Sequence, residues 1–363
     1  YPRAFATPEI VESLHEALTD HPDADVLKNY YLFSGNPDHA IRHGERFLYR
    51  ATGGHNDFIK QWHVYGLSHY RQAQTLKWGH LAEDALACPE LPVEMRRKIR
   101  LHLALWSYLM AEPDFNPRGA GVHLGNNNMT INRTIGMAYF APLIPQHPQY
   151  DYWMDRLARF TRFKLATQTA PDGTWVACPN YQLYGPTRFL NTAVNVLRNT
   201  GRADLTGRGY IQRDMRYLAN LTQPDVRFND LRIIPGMGNS GDRVTSVFGF
   251  AMRAAGAEDD RFAGWIRRMH RLCVGPNGVA KLRGNSPSYA FYFRPDVEEG
   301  PVKLKTEFFP TYGVMFRNHM GTGNETSMLF RAGMNWSHWD PDFLNVILYG
   351  EGDTDTVHAT PDA

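Results

Sequence analysis

The chain has 363 residues, 43% hydrophobic and 21% charged, enough to bury a large core in one big domain or two ordinary ones, which excludes disordered and fibrous classes. Its 39 Lys and Arg against 37 Asp and Glu leave a formal net charge of +2, too small to recommend nucleic acid as the main partner, although local arginines can hold an anionic substrate. No apolar run approaches the roughly 20 residues of a membrane-spanning helix, and Cys88, Cys178 and Cys273 suggest neither a disulfide framework nor a CxxC metal site.

Up to about Gly275 apolar residues recur at three- and four-residue spacing, which predicts a helical array. The first helix, over 8–18, is announced by Thr7, by Pro8 at its first position and by Glu9; Pro92 announces another over 93–110. A run from His123 to Arg133 holds Asn126, Asn127, Asn128 and Asn132 and leads into a helix expected to reach Leu143. Further helices are expected over 150–167, 189–199 and 244–255, with strands nearly absent, which argues against a parallel βαβ sheet. After Gly284 the texture changes. Short aromatic and aliphatic runs at 288–293, 312–318, 326–332 and 344–349, bounded by Gly, Asn and Pro, read as antiparallel strands. The pattern predicts an α-helical domain over 1–290 and an antiparallel β domain over 300–363. Four short strands do not close a sandwich and the tail after Gly350 is polar, so the β domain is expected to be incomplete here. Tyr1 stands where an initiator Met would be, so the want of a leader says nothing about export.

Four stretches carry chemistry. Three consecutive asparagines beside His123 exceed what one helix cap needs, and neutral amides can grip an anionic oxygen. In the run from Pro171 to Arg188, Asp172-Gly173 is a turn, and Tyr181, Tyr184 and Arg188 share one face if a helix begins there. A phenol titrates near about 10 and a neighbouring cation favours its anion, so such a tyrosine can serve as a base; a satisfied residue of an amphipathic wall fits the spacing equally. His338, Asp340 and Asp342 alternate into an apolar strand and would face one side, with one His too few for a strong zinc signature; a polar surface loop reads the same way. The glycine-rich run from Ile234 to Arg243 lacks a GK[ST] ending, and Asp242 there reads as an N-cap. The aromatic content of 13%, with 8 Trp and 18 Tyr, suits a carbohydrate cleft or a well-packed helical core.

Taken in order, these segments resemble the heparinase II/III-like polysaccharide lyases, among them alginate, heparin and heparan lyases, whose fold is an incomplete α/α toroid followed by antiparallel β-sheet domains. The resemblance runs from about Trp62 to Gly350. It is carried by Asp172-Gly173 with Trp175, by the Pro179 to Gly185 run, by the Ser337 to Asn345 run, and by the 54 positions between Asn127 and Tyr181. It implies β-elimination at a uronic acid in an anionic polysaccharide, in a secreted or periplasmic protein. Carried over by position, Asn127 with Asn126 or Asn128 would bind the carboxylate. Tyr181 would act as acid or base, and His338 as opposing base or second neutraliser. His123, Tyr184, Arg188 and Arg243 would contact the sugar subsites. The chemistry needs no cofactor; the family's structural zinc would find Asp340 where a second His is usual, with remaining ligands after Gly350. The alternatives are a glycoside hydrolase on a similar toroid, needing two carboxylates about 5–10 Å apart for which Asp172, Asp242 and Asp342 are candidates, or a non-catalytic carbohydrate-binding relative.

Overall fold

A computed structural model of the chain describes residues 4–17, 27–61, 78–111, 131, 135–175, 178–184, 186–225, 231–236, 243–244, 246–255, 259–275, 291–332 and 346–350. The described residues are mainly helical, with small antiparallel sheets toward the C-terminus, as the periodicity predicts. They form two compact units: Tyr1–Lys164, Phe189–Leu205 and Ser286–Asp296 make the first, and Leu165–Arg188, Thr206–Asn285 and Val297–Ala363 the second.

The first unit begins with α1 (Pro8–Ala17), α2 (Tyr31–Ser34), α3 (Pro37–Gln61), α4 (Gly79–Ala87) and α5 (Val93–Ala111). Helix α3 packs along both α4 and α5. Ile99, Leu103, Trp106 and Met110 recur at four- and three-residue spacing on α5 and are buried, which is why the helix expected at 93–110 is found there. Helix α4 is buried almost throughout and carries two acids inward. Glu83 accepts the N–H groups of Phe5 at 3.2 Å and Ala6 at 3.2 Å. Asp84 accepts those of Tyr31 at 3.0 Å and Leu32 at 2.9 Å, capping α2, and pairs with His43 Nδ1 at 2.8 Å. Buried carboxylates are tolerated when satisfied in this way. Trp106, Trp153 and Tyr30 are among the largest fully buried side chains, so much of the aromatic surplus is core.

Two histidines link α3 to α5. Nδ1 of His55 lies 3.1 Å from Nδ1 of His102, and the His55 ring stacks on Trp106 with centroids 4.4 Å apart. One nitrogen must donate and the other accept, so both rings cannot be charged together. Burial, helped by the charge of His102, pushes His55 down to about 4; burial also lowers His102. A neutral folded His whose unfolded counterpart titrates near about 6.5 contributes stability that is complete above that pH and lost as pH falls toward 4. The denaturation midpoint is therefore expected to fall between pH 7 and pH 5, and His55→Gln to flatten that dependence. An equal slope in both proteins would exclude the pair as its source.

The chain then departs from expectation. The helix expected to reach Leu143 is α-helical at Ile131 and Ile135 and then tightens into two 3-10 turns, Gly136–Tyr139 and Ala141–Leu143, the second holding Pro142, which has no N–H to donate to an α-helical ladder. Phe291 and Tyr292, expected in a strand over 288–293, form another 3-10 turn. Their apolar character serves burial: the Phe291 ring meets Tyr30 edge-on at 5.3 Å, and Tyr292 donates its hydroxyl to Thr192 at 3.1 Å.

Helix α6 (Tyr150–Gln168) ends in the second unit, which also holds α7 (Pro179–Tyr184); α8 (Pro186–Asn199) starts there. Three more helices follow: α9 (Tyr210–Asn220), α10 (Val247–Ala255) and α11 (Asp260–Val274). A three-stranded antiparallel sheet, β1 (Gln223–Asp225), β2 (Leu231–Ile234) and β3 (Arg243–Val244), sits where strands were expected to be nearly absent. Strands this short are hidden from any periodicity window. Because Arg243 and Val244 pair with Ile234 and Ile233, the helix expected from 244 starts at Val247.

The second sheet runs in order β4 (Glu307–Phe309), β5 (Gly313–Asn318), β6 (Thr326–Arg331) and β7 (Val346–Tyr349), every pair antiparallel. The last three were expected; β4 was not. Gly313, at φ 149, faces Arg331, and a Cβ there would lie 2.2 Å from the Phe330 carbonyl oxygen. A buried ion triad ties both sheets to α9. Glu325 accepts from Arg232 at 2.8 and 3.0 Å and from Arg317, while Arg317 also donates to the Asn220 and Thr222 carbonyls at 2.9 and 2.7 Å.

Candidate active site

Between α6 and α7 the chain makes the turn expected at Asp172-Gly173. Thr169 and Trp175 form an isolated antiparallel bridge, closed by Gly173 N–H to Ala170 at 2.9 Å and Ala170 N–H to Thr174 at 2.8 Å. Asp172 accepts from the Thr174 N–H at 3.0 Å and hydroxyl at 2.7 Å, and from the Thr311 N–H at 2.9 Å and hydroxyl at 2.5 Å. Burial pushes this carboxyl up, but the four bonds outweigh burial and hold it below the usual range. A carboxylate so committed is a structural anchor and a poor general acid, which argues against Asp172 as half of a hydrolase pair.

Gly173 adopts φ 92, and a Cβ on it would stand 2.3 Å from the Arg213 carbonyl oxygen on α9. Gly173→Ala therefore combines a left-handed backbone penalty with a clash, and a loss of about 1–3 kcal/mol is expected in denaturant melts. Unchanged stability would mean the turn does not seat on α9.

Next comes α7, six residues opened by Pro179 after the buried Cys178. Tyr181 is half-buried there. Gln182, fully buried, donates its amide to Asp214 of α9, and Thr187, in the first turn of α8, donates its hydroxyl to the other oxygen of Asp214 at 3.4 Å. Burial drives the Asp214 carboxyl up to about 7, opposed by the bonds from Gln182 and Thr187. The face expected to unite Tyr181, Tyr184 and Arg188 is interrupted: α7 stops at Tyr184 and Pro186 opens α8, so the step to Arg188 crosses a break. The Arg188 guanidinium lies over the Phe250 ring, 4.7 Å from its centroid.

Tyr181, Tyr184, Arg188 and Arg243 all belong to the second unit, Arg243 opening β3 opposite Ile234. His123, Asn126, Asn127, Asn128 and His338 lie outside the described residues, as do Asp242, Asp340 and Asp342, and with them the zinc expectation. Nothing in the local motifs singles out Gln182, Thr187 or Asp214. A signal is present for Asp214: it interrupts the apolar stripe of Ile211, Met215 and Leu218 on α9, where a carboxylate needs partners.

No protein-family model matches the chain, and no curated protein matches it in sequence. Among solved structures, the crystal structure of heparinase III aligns with 89% of this chain and 47% of its own, at a TM-score of 0.56 and 15% identity. The chain has a heparinase III-like fold. A heparinase III gene product with methylated lysines aligns at a TM-score of 0.50 and 14% identity, again with 89% of this chain and 47% of that one. The chain therefore spans about half the length of the solved structures it matches. The neighbours' α/α toroid with a β domain accords with the fold class read from the sequence. No helix among the described residues is long and apolar enough to cross a membrane.

Proposed function

We propose that this chain belongs to a polysaccharide lyase that cleaves an anionic, uronic-acid-containing polysaccharide by β-elimination. The observation that supports this most is the likeness of fold to heparinase III over 89% of the chain. In this reading the C5 hydrogen becomes acidic once the neighbouring carboxylate is neutralised. A base takes the C5 proton, its bonding electrons form the C4–C5 double bond, the C4–O4 bond breaks, and the departing oxygen receives a proton.

Asn127, with Asn126 or Asn128, neutralises the carboxylate and carries the developing enolate charge as an oxyanion hole does. Tyr181 protonates O4 and, in a syn reaction, also removes the C5 hydrogen; His338 is the opposing base in an anti reaction. His123, Tyr184, Arg188 and Arg243 contact neighbouring sugars, with the toroid over 1–290 and the β domain over 300–363. In this reading the protein is secreted or periplasmic, and its near-neutral charge mildly disfavours a heavily sulfated polymer.

The test is incubation of the full-length protein with a panel of uronate polysaccharides, following absorbance of the unsaturated product and its mass. Saturated, water-containing products would replace this reading with hydrolysis, and no product from any polymer would reject it.

A further inference from the structure

We propose that Asp214 is the positioning residue of the Tyr181 helix, joining α7 to the first turn of α8 through Gln182 and Thr187 and so setting where the Tyr181 phenol and the Arg188 guanidinium stand. The inference rests on the lyase reading only for what Tyr181 does once placed.

Its basis is a buried acid with no cationic partner among its described contacts. Asp214 is 7% exposed, and its described donors are Gln182 and Thr187, the neighbours in sequence of Tyr181 and Arg188. An uncompensated buried carboxylate is costly, and an apolar residue would fill α9's inner face more cheaply. What the acid supplies is two acceptor oxygens for donors on two different helices. Helix α7 needs such help: six residues are far below the roughly 12–15 at which an isolated helix becomes marginal in water.

Among the described residues the Gln182 side-chain oxygen is buried with no hydrogen-bond partner, and Asp214 is the acceptor described for its amide N–H. The residue before Asp214 does related work, since the Arg213 backbone seats Gly173 on the other flank of the Tyr181 segment. Consecutive residues of α9 thus grip both ends of one stretch.

The charged and titratable side chains around this clamp, on α9 and on the elements joined or packed to it, include three arginines that lie over aromatic rings. Arg213 lies over Tyr210 at 5.1 Å, Arg216 over Phe262 at 5.2 Å and Arg188 over Phe250 at 4.7 Å; Arg253 is on α10, and Cys178 and Tyr181 are on the clamped segment. With its carboxyl raised to about 7 by burial, Asp214 passes near neutrality from a carboxylate that suits both donors to an acid that has a hydrogen of its own to place. The clamp is therefore expected to tighten as pH rises through that value.

The test uses the full-length protein with 3-fluorotyrosine at position 181, followed by fluorine NMR across neutral pH. A step in its resonance near pH 7, below the phenol's own titration, is expected in the wild type. Asp214→Asn keeps an acceptor for Gln182 and offers an N–H to the Thr187 oxygen, so it should hold the resonance in place and abolish the step. Asp214→Ala should displace or broaden the resonance throughout. It should lower kcat by about 10²-fold with KM little changed, as misplacement of a reacting group does, and Asp214→Asn should restore kcat.

An identical resonance in all three proteins, or a step that persists in Asp214→Asn, overturns the proposal. Should Asp214→Ala fail to fold, the presence or loss of the step in Asp214→Asn decides alone. The expected fluorine behaviour without unsaturated product from any polymer would remove the lyase reading and leave this clamp standing; product without the step would do the reverse.

Discussion

Tyr181→Phe should eliminate the unsaturated product while leaving polysaccharide affinity nearly unchanged. The substitution removes one hydroxyl from a half-buried ring and keeps the ring's packing, so the lost element is proton transfer, worth about 10²–10⁴ in rate. If the phenol both removes the C5 hydrogen and protonates O4, both roles vanish together and the loss sits at the upper end of that range. Asn127→Ala should cost about 10²–10³, severe yet incomplete, because neighbouring amides can take part of the developing charge. The measurement is product absorbance beside equilibrium binding of the same polymer. Retained turnover in Tyr181→Phe would remove the phenol from the chemistry, whereas binding without turnover in the wild type would make the chain a carbohydrate-binding relative.

Glu325→Ala should be the most destabilising single change outside the site. It leaves Arg232 and Arg317 facing each other with side chains 5% and 0% exposed and no anion between them. Breaking a buried pair by removing one partner costs about 3–5 kcal/mol, and the melting temperature of the second unit should fall by roughly 10 °C. Burial raises the Glu325 carboxyl, but hydrogen bonds and charge from Arg232, with Arg317 and the Gly321 N–H, more than reverse this and hold it below the usual range. Such a depressed carboxylate contributes stability above its unfolded titration range and loses it as pH falls below, so the cost of Glu325→Ala should shrink in acid. A triple replacement of Arg232, Glu325 and Arg317 by apolar residues should cost less than Glu325→Ala alone, since it leaves no orphaned charge. A single variant melting within about 2 °C of wild type would show that water reaches the triad.

The long helices are legible because one buried stripe repeats every three or four residues, as Ile99, Leu103, Trp106 and Met110 do on α5. Strands β5, β6 and β7 are legible through their short aliphatic and aromatic runs. Strands β1 to β3 are not: at two to four residues each they carry no periodicity, and Arg232 in their midst looks like a surface residue until Glu325, 93 positions away, is placed against it. Phe291 and Tyr292 mislead for a related reason, since aromatic residues mark burial as well as strands.

Local chemistry determined a good deal by itself: the Asp172-Gly173 turn, the mainly helical class with a β region at the end, and the order of segments that resembles a lyase. Each follows from neighbours in sequence, through backbone preference or side-chain spacing. Only the tertiary structure decided that Asp172 is anchored by Thr311, that Pro186 divides the face of Tyr181 from that of Arg188, and that Asp214 bonds to both sides of this break. Those arrangements depend on partners dozens of positions apart meeting in a water-poor interior, where an acid must find its donors or lose its charge, and no local pattern encodes that encounter.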